Sequence, residues 1–331
     1  MDPASHALLG ALCGRGVARG HGRAAMLAGA AGAMLPDADV LIRSASDPLL
    51  VVEYHRQFSH SFTVAPLGAL LAAGVVWLVL RRRSPFGTLY WAALAGFASA
   101  ILLDACTSYG TQLLWPFTDA RYAWRVISVV DPLMTFLLLA GTVVALRADS
   151  AAWARLTLLA ALVYLGCGWA QRERATAAMM ELAASRGHAV ERIEVKPTLG
   201  NLLLWRSVYL HNDRFVVDAV RVGPFSSPAV YAGGAVKRIA PQDLTPPLPA
   251  DSVQARDVAR FARLSEGFVA RHPERPEVIG DVRYAMLPDS VRPLWGIAID
   301  PARPDRHVEF LTFRDFTAQD RRRFLAMLRG G

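Results

Sequence analysis

Residues 62–80, Phe-Thr-Val-Ala-Pro-Leu-Gly-Ala-Leu-Leu-Ala-Ala-Gly-Val-Val-Trp-Leu-Val-Leu, contain no charged side chain. As a helix these 19 residues reach roughly 28 Å, about one hydrocarbon core. Lipid offers no partner to a backbone N–H or C=O, so a crossing segment must be a helix or part of a closed barrel. Arg81-Arg82-Arg83 follows at once and marks the end of the run. Three further runs repeat the pattern, at 88–106, 131–146 and 153–170, the last two flanked by Arg147, Arg155, Arg172 and Arg174. Composition agrees: 53% of residues are hydrophobic, 19% are charged, and the mean hydropathy is +0.27. That is too apolar for an ordinary soluble chain.

The expected fold is therefore mainly α. A polytopic α-helical membrane domain of about four spans occupies 1–175, and a soluble α+β domain occupies 186–331. Residues 3–14 read as a short N-terminal helix, with Asp2 or Ser5 as cap and Pro3 in the first turn. The start lacks the basic region of a signal peptide, so the N-terminus with His6 is expected to be retained. Residues 15–23 are a basic, Gly-rich connection with Arg15, Arg19 and Arg23. Residues 24–35 are small and apolar but short for a span, which suits a re-entrant or tightly packed helix. From 190 the pattern alternates with period two, giving strands at 190–195, 203–210 and 214–220 around a turn at His211-Asn212-Asp213. A helix over 251–270, strands at 284–286, 294–299 and 308–313, and a last helix over 317–328 complete the domain. The Pro-rich 241–249 stretch reads as a loop.

The net charge of +8 sits mainly in arginines beside apolar runs, which favours a membrane surface over nucleic acid as the partner. Counting Arg81 to Arg83, Arg147 and Arg155 as cytoplasmic puts the N-terminal segment, the 105–130 loop and the C-terminal domain on the extracytoplasmic face. Cys13, Cys106 and Cys167 have no metal-ribbon or redox spacing and read as buried free thiols.

The polar stretch Glu53-Tyr54-His55-Arg56-Gln57-Phe58-Ser59-His60 precedes the first run and holds two of only eight histidines. Histidines five apart do not share one helix face, so the chain is expected to bend near 57–59. Asp104 lies inside an apolar run, where a carboxylate needs a partner and defaults to a functional reading. Asp37 and Asp39 follow Pro36 at a helix end. Asp131-Pro132 opens the third run. Each of these aspartates also has a plain reading as a cap or terminator, and His6 as a packed histidine. Imidazoles and carboxylates gathered on one face suit zinc first, with manganese or iron also fitting, and such a cluster can activate a water for hydrolysis. Arg56 beside a metal can hold an anionic substrate, and Arg121 is a second candidate.

Asp2-Pro3-Ala4-Ser5-His6 with Gly10, Leu35-Pro36-Asp37-Ala38-Asp39, His55-Arg56-Gln57-Phe58-Ser59-His60-Ser61, and Leu103-Asp104-Ala105-Cys106-Thr107-Ser108-Tyr109-Gly110-Thr111 through Trp115-Pro116-Phe117 form an ordered set. It resembles the bacterial membrane-bound metal-dependent hydrolases, also described as LexA-binding, inner-membrane-associated hydrolases. The resemblance is dense over residues 1–135. It implies a multi-pass inner-membrane protein with a metal site built from His6, Asp37, Asp39, His55, His60 and Asp104, and Asp131 as a further ligand. One position departs from the pattern: a histidine common four residues before Asp104 is Ala100 here, which leaves the implied set one ligand short.

Two functions follow as expectations. The first is a metal-dependent hydrolase acting on a phosphoester or lipid-like substrate at the bilayer face, with Asp37 or Asp104 as base and Arg56 and Arg121 on the anion. The alternative is a non-catalytic membrane adaptor with a structural or degenerate metal site, working through a protein partner of its C-terminal domain. A small transporter ranks last, since only Asp104 lies clearly inside a run.

Overall fold

The computed structural model describes residues 1–18, 20–224, 226–239 and 248–331. Arg19 of the basic connection, and most of the Pro-rich 241–249 loop, lie outside the described residues. The chain divides into two units. The first comprises Met1–Leu41, Tyr54–Ala170 and Leu199–Asn201, and the second Ile42–Glu53, Gln171–Thr198 and Leu202–Gly331.

The first unit is helical. Helix α1 (Pro3–Val17) starts where the Asp2 carboxylate accepts from Ser5 N–H at 3.0 Å, with Pro3 at its first position. Helix α2 (Gly22–Met34) has Ala or Gly at nine of its 13 positions, and its backbone packs directly against its neighbours. Gly29 shows why: a Cβ on Gly10, Gly29 or Gly96 would run into a backbone carbonyl across the contact. This close approach ties α1, α2 and α5 (Phe86–Ala105) together. Pro36 then tightens the chain into a 3-10 turn, Pro36–Leu41, that carries Asp37 and Asp39.

The short α3 (Leu50–Tyr54) ends before Arg56, which adopts a left-handed φ of 60°. A second 3-10 turn, Phe58–His60, leads into α4 (Ala65–Val79). The bend expected at 57–59 is therefore present. Asp131 caps α6 (Pro132–Arg147) by accepting from Met134 N–H at 3.0 Å. Helix α7 (Ala151–Ser185) runs 35 residues, joining the apolar run at 153–170 to the polar helix after it. Its first half faces a core of Leu12, Leu103, Ile127, Met134 and Leu138.

By length and composition α5 and α7 are able to cross a membrane. A third span arises if Leu50–His60 and Ala65–Val79, bent by 85°, count as one. The four spans expected are not reached on length, because α4 has 15 residues and α6 has 16.

The second unit is α+β. Strands β1 (Arg192–Pro197), β2 (Leu204–His211), β3 (Arg214–Arg221) and β4 (Ala229–Lys237) form one antiparallel sheet in that order. On β2 the alternation is strict: Trp205 faces the end of α7 with Val195 and Val220, while Val208 and Leu210 face the other side. The β2–β3 turn is two residues, since His211 pairs with Arg214 and leaves Asn212 and Asp213 at positive φ. Both central residues at positive φ match the primed turn whose twist suits a hairpin.

After helix α8 (Val253–Leu264), strands β5 (Val269–His272), β6 (Arg275–Asp281), β7 (Trp295–Ala298) and β8 (Glu309–Thr312) form a second antiparallel sheet. The helix expected to reach 270 stops earlier, because Glu266 and Gly267 take positive φ. The strand expected at 284–286 is absent: that segment turns, with Tyr284 N–H on Asp281 O at 3.2 Å. Helix α9 (Ala318–Arg329) begins in a capping box between Thr317 and Asp320.

Candidate metal centre

Four segments of the first unit bring their polar side chains to one place. The end of α2 delivers Asp37 and Asp39, α1 delivers His6, the 55–60 bend delivers His55, Arg56 and His60, and the last turn of α5 delivers Asp104. His6, His60 and Asp104 are completely buried, while Asp37 and His55 keep partial exposure and form the open side.

Asp104 is the centre of the contacts. Its Oδ1 accepts from Arg56 Nη2 at 2.7 Å, lies 3.2 Å from His6 Nε2, and is touched by the Met1 nitrogen. Its Oδ2 lies 3.0 Å from His60 Nε2, an ion-pair distance. Asp37 Oδ1 is 3.5 Å from the same His60 nitrogen. One ligand atom each from Asp37, His60 and Asp104 lies within 4.8 Å of the others.

Asp39 stands behind this trio. Its Oδ1 accepts from His55 Nδ1 at 2.9 Å, and its Oδ2 from Arg56 N–H at 2.9 Å and Ser59 Oγ at 2.7 Å. His60 Nδ1 is 2.9 Å from Ser59 Oγ and 3.2 Å from Asp39 Oδ2. Burial opposes ionisation of Asp39, but the hydrogen bonds and charge of His55 and His60 outweigh it and hold its carboxyl well below the usual range. Partners on Nδ1 fix the His60 ring and leave Nε2 turned toward Asp37 and Asp104. A carboxylate or hydroxyl on the far nitrogen is the usual support of a metal-ligating histidine.

Three carboxylates, Asp37, Asp39 and Asp104, face the Arg56 guanidinium, the Met1 amino group and the imidazoles of His55 and His60. Carboxylates gathered this closely in a buried place repel one another, and a divalent ion would offset that charge. His60 Nε2 and Asp104 Oδ2, buried and facing each other beside Asp37, are the polar atoms that an ion would engage. Imidazole with carboxylates is a donor set for zinc, manganese or iron. The residues present fit the group.

Not every sequence-based candidate joins the trio. His6 reaches it through Asp104, and His55 through Asp39, with its ring 5.9 Å from that of His60. Asp131 is engaged elsewhere: besides capping α6 it accepts from the Tyr164 hydroxyl at 3.0 Å on both oxygens. Arg56 donates to Asp104 and, from Nη1, to Thr107 Oγ1 at 2.7 Å. Arg121 donates to His55 O at 3.2 Å and to Gly110 O at 3.4 Å. Both arginines thus hold the site's own framework. Sequence reasoning missed Ser59, Thr107 and Tyr109, whose ring lies 5.3 Å from that of His55. Their proximity in the chain to His60 and Asp104 was the available signal. Ala100 is buried one turn before Asp104.

A second His–Asp group, Asp47, Asp257 and His307, lies in the second unit. Arg260 bridges it, 2.8 Å from Asp47 and 3.8 Å from Asp257, and His307 pairs with Asp257 at 2.8 Å.

Comparison with known proteins places the chain. The family model described as "YdjM inner membrane protein" matches residues 1–175, more than half of the sequence and all of the clustered side chains. The chain belongs to the YdjM inner membrane protein family. It is also 25% identical over 141 residues to the uncharacterized protein YfhP of Bacillus subtilis (strain 168), a match covering 40% of this chain and 42% of that protein. The chain thus spans under half the length of that relative. No solved structure matches it. Membership identifies a bacterial inner-membrane protein, in keeping with the long apolar helices α5 and α7.

Proposed function

We propose that this inner-membrane protein is a metal-dependent hydrolase whose ion is held by Asp37, His60 and Asp104, with His6 adjoining. The observation that carries the reading is the convergence of Asp37, His60 and Asp104, whose ligand atoms lie within 4.8 Å of one another, with His60 Nε2 and Asp104 Oδ2 buried and 3.0 Å apart. A divalent ion in such a site supplies a Lewis acid that polarises an ester and makes water more acidic. Zinc is the first candidate, with manganese and iron as alternatives.

The remaining work falls to the chain. Arg56 and Thr107 hold Asp104 in place. Asp39 and Ser59 fix His60, and Asp39 also holds His55. Asp37, on the open side, is placed to take a proton from water. For a phosphoester the water oxygen joins phosphorus, the bond to the ester oxygen breaks, and the proton passes from Asp37 to that leaving oxygen. Helices α4 and α6 would complete a four-span bundle, and the positive-inside rule would set the cluster on the extracytoplasmic face.

The test is metal analysis of detergent-purified protein with turnover of bis(p-nitrophenyl) phosphate. Stoichiometric metal and turnover in wild type, both lost in His60→Ala, support the proposal, and wild-type protein free of metal refutes it.

One observation favours a second reading. The Arg56–Asp104 ion pair already neutralises the most buried carboxylate. A membrane adaptor with a structural metal site, recruiting a protein through the second unit, would need no more. Bound metal without turnover on any ester separates the two.

A further inference from the structure

The loop after α5 touches the cluster at one end and carries bare hydrophobic side chains at the other. Thr107 receives Arg56, Tyr109 packs on His55, and Gln112 N–H donates to Arg56 O at 3.0 Å. A few residues on, Leu114 is 44% exposed and Phe117 83% exposed. The tip is fastened rather than loose. Phe62 N–H donates to Leu113 O at 2.9 Å, and Thr63 Oγ1 donates to Trp115 O. The Trp115 ring lies 6.0 Å from Phe58, in the turn that carries His60.

A single exposed apolar side chain needs no explanation. Here the exposure is continuous. Phe62 is itself exposed and leads into α4, whose Leu67, Leu71 and Leu78 are bare along its length. In an inner-membrane protein a bare apolar helix side of this kind suits a lipid contact. Aromatic residues beside the end of an apolar helix belong to the headgroup region.

We propose that residues 113–117 form an apolar lip seated in the bilayer interface, and that the cluster takes its substrate from that leaflet. The substrate class is an amphiphile with a phosphate-ester headgroup, the headgroup at Asp37 and His55 and the acyl chain against Phe117. The substrate half rests on the hydrolase reading above, and the seating of the lip does not. A small water-soluble ester would gain nothing from a lip tied by hydrogen bonds to the same loop that holds Arg56.

The experiment uses the full chain in phosphatidylcholine vesicles, with a polarity-sensitive fluorophore on Phe117→Cys. Quenching by brominated phosphatidylcholine and shielding from aqueous iodide are expected. Iodide quenching without bromolipid quenching overturns the lip. On the same preparation, Phe117→Asp should lower hydrolysis of a vesicle-borne long-chain phosphodiester about tenfold more than it lowers turnover of soluble bis(p-nitrophenyl) phosphate, since remote binding is lost. Equal losses on both, or no loss on either, overturn the substrate class. Absence of turnover in wild type with bromolipid quenching intact refutes the hydrolase reading while the lip stands.

Discussion

Removing Arg56 should make the protein depend on metal for its stability. The guanidinium lies 2.7 Å from Asp104 Oδ1 and 2.7 Å from Thr107 Oγ1, and Asp104 is fully buried. In Arg56→Met the apolar stem is roughly kept and the charge is lost. Breaking a buried pair from one side costs about 3–5 kcal/mol when the partner is left alone, and the Met1 amino group and His60, which also touch Asp104, hold the loss toward the lower end. Two hydrogen bonds to Thr107 Oγ1 and Asp104 O go with it, at about 1 kcal/mol each. A bound divalent ion takes over the compensation of Asp104, so most of the loss should return on adding metal. At a thousand times Kd, binding to the folded state alone contributes about 4 kcal/mol. The assay is thermal unfolding in detergent, with chelator and with zinc, for wild type and variant. The expected pattern is a large drop in Tm for Arg56→Met in chelator and a zinc-induced rise clearly greater than in wild type. A variant as stable as wild type in chelator, or one that zinc does not rescue, would refute the account of Asp104 as a charged ligand held by Arg56.

Other variants read separate parts of the structure. Asp39→Asn keeps the shape but weakens the support of His55 and His60, so metal affinity measured by chelator competition should fall about 10–100-fold with the fold intact. Gly29→Ala drives a Cβ into the Gly10 carbonyl; overpacking costs about 1–3 kcal/mol, and prying α2 from α1 should also lower metal content. Asp131→Ala removes the α6 cap and the Tyr164 bonds, so stability should drop by about 1–2 kcal/mol while metal content is unchanged. Trp205→Ala empties a fully buried site in the second unit and should cost about 3–5 kcal/mol in unfolding followed by far-UV circular dichroism, again without metal loss.

Much of the site was legible because polar residues stand out against apolar runs. His55, His60, Asp37, Asp39, His6 and Asp104 were each visible as exceptions, and the structure links them. What the sequence could not supply was which atoms face which. Asp131 and Asp39 look alike in the chain, yet one caps a helix and the other supports two imidazoles. Arg56 suggested an anion site; its partner Asp104 lies 48 residues away and only folding brings them together. Among the elements, β2 and β3 alternate cleanly and were found. Strand β4 was not, because Gly233 and Gly234 interrupt its pattern, and β5 was absorbed into a helical reading that Glu266 and Gly267 end. Helix lengths were overestimated at α4 because the apolar run at 62–80 starts in a turn and ends in one.

The central claim is that His60 and Asp104 share an ion. Elemental analysis of wild type, His60→Ala and Asp104→Asn, purified in detergent without added metal and matched by folded-state circular dichroism, tests it most directly. The account predicts about one tightly bound divalent ion per wild-type chain, as a single His–Asp site holds, and its loss in both variants. Metal-free wild type, or full metal retained when His60 and Asp104 are both replaced, would contradict it.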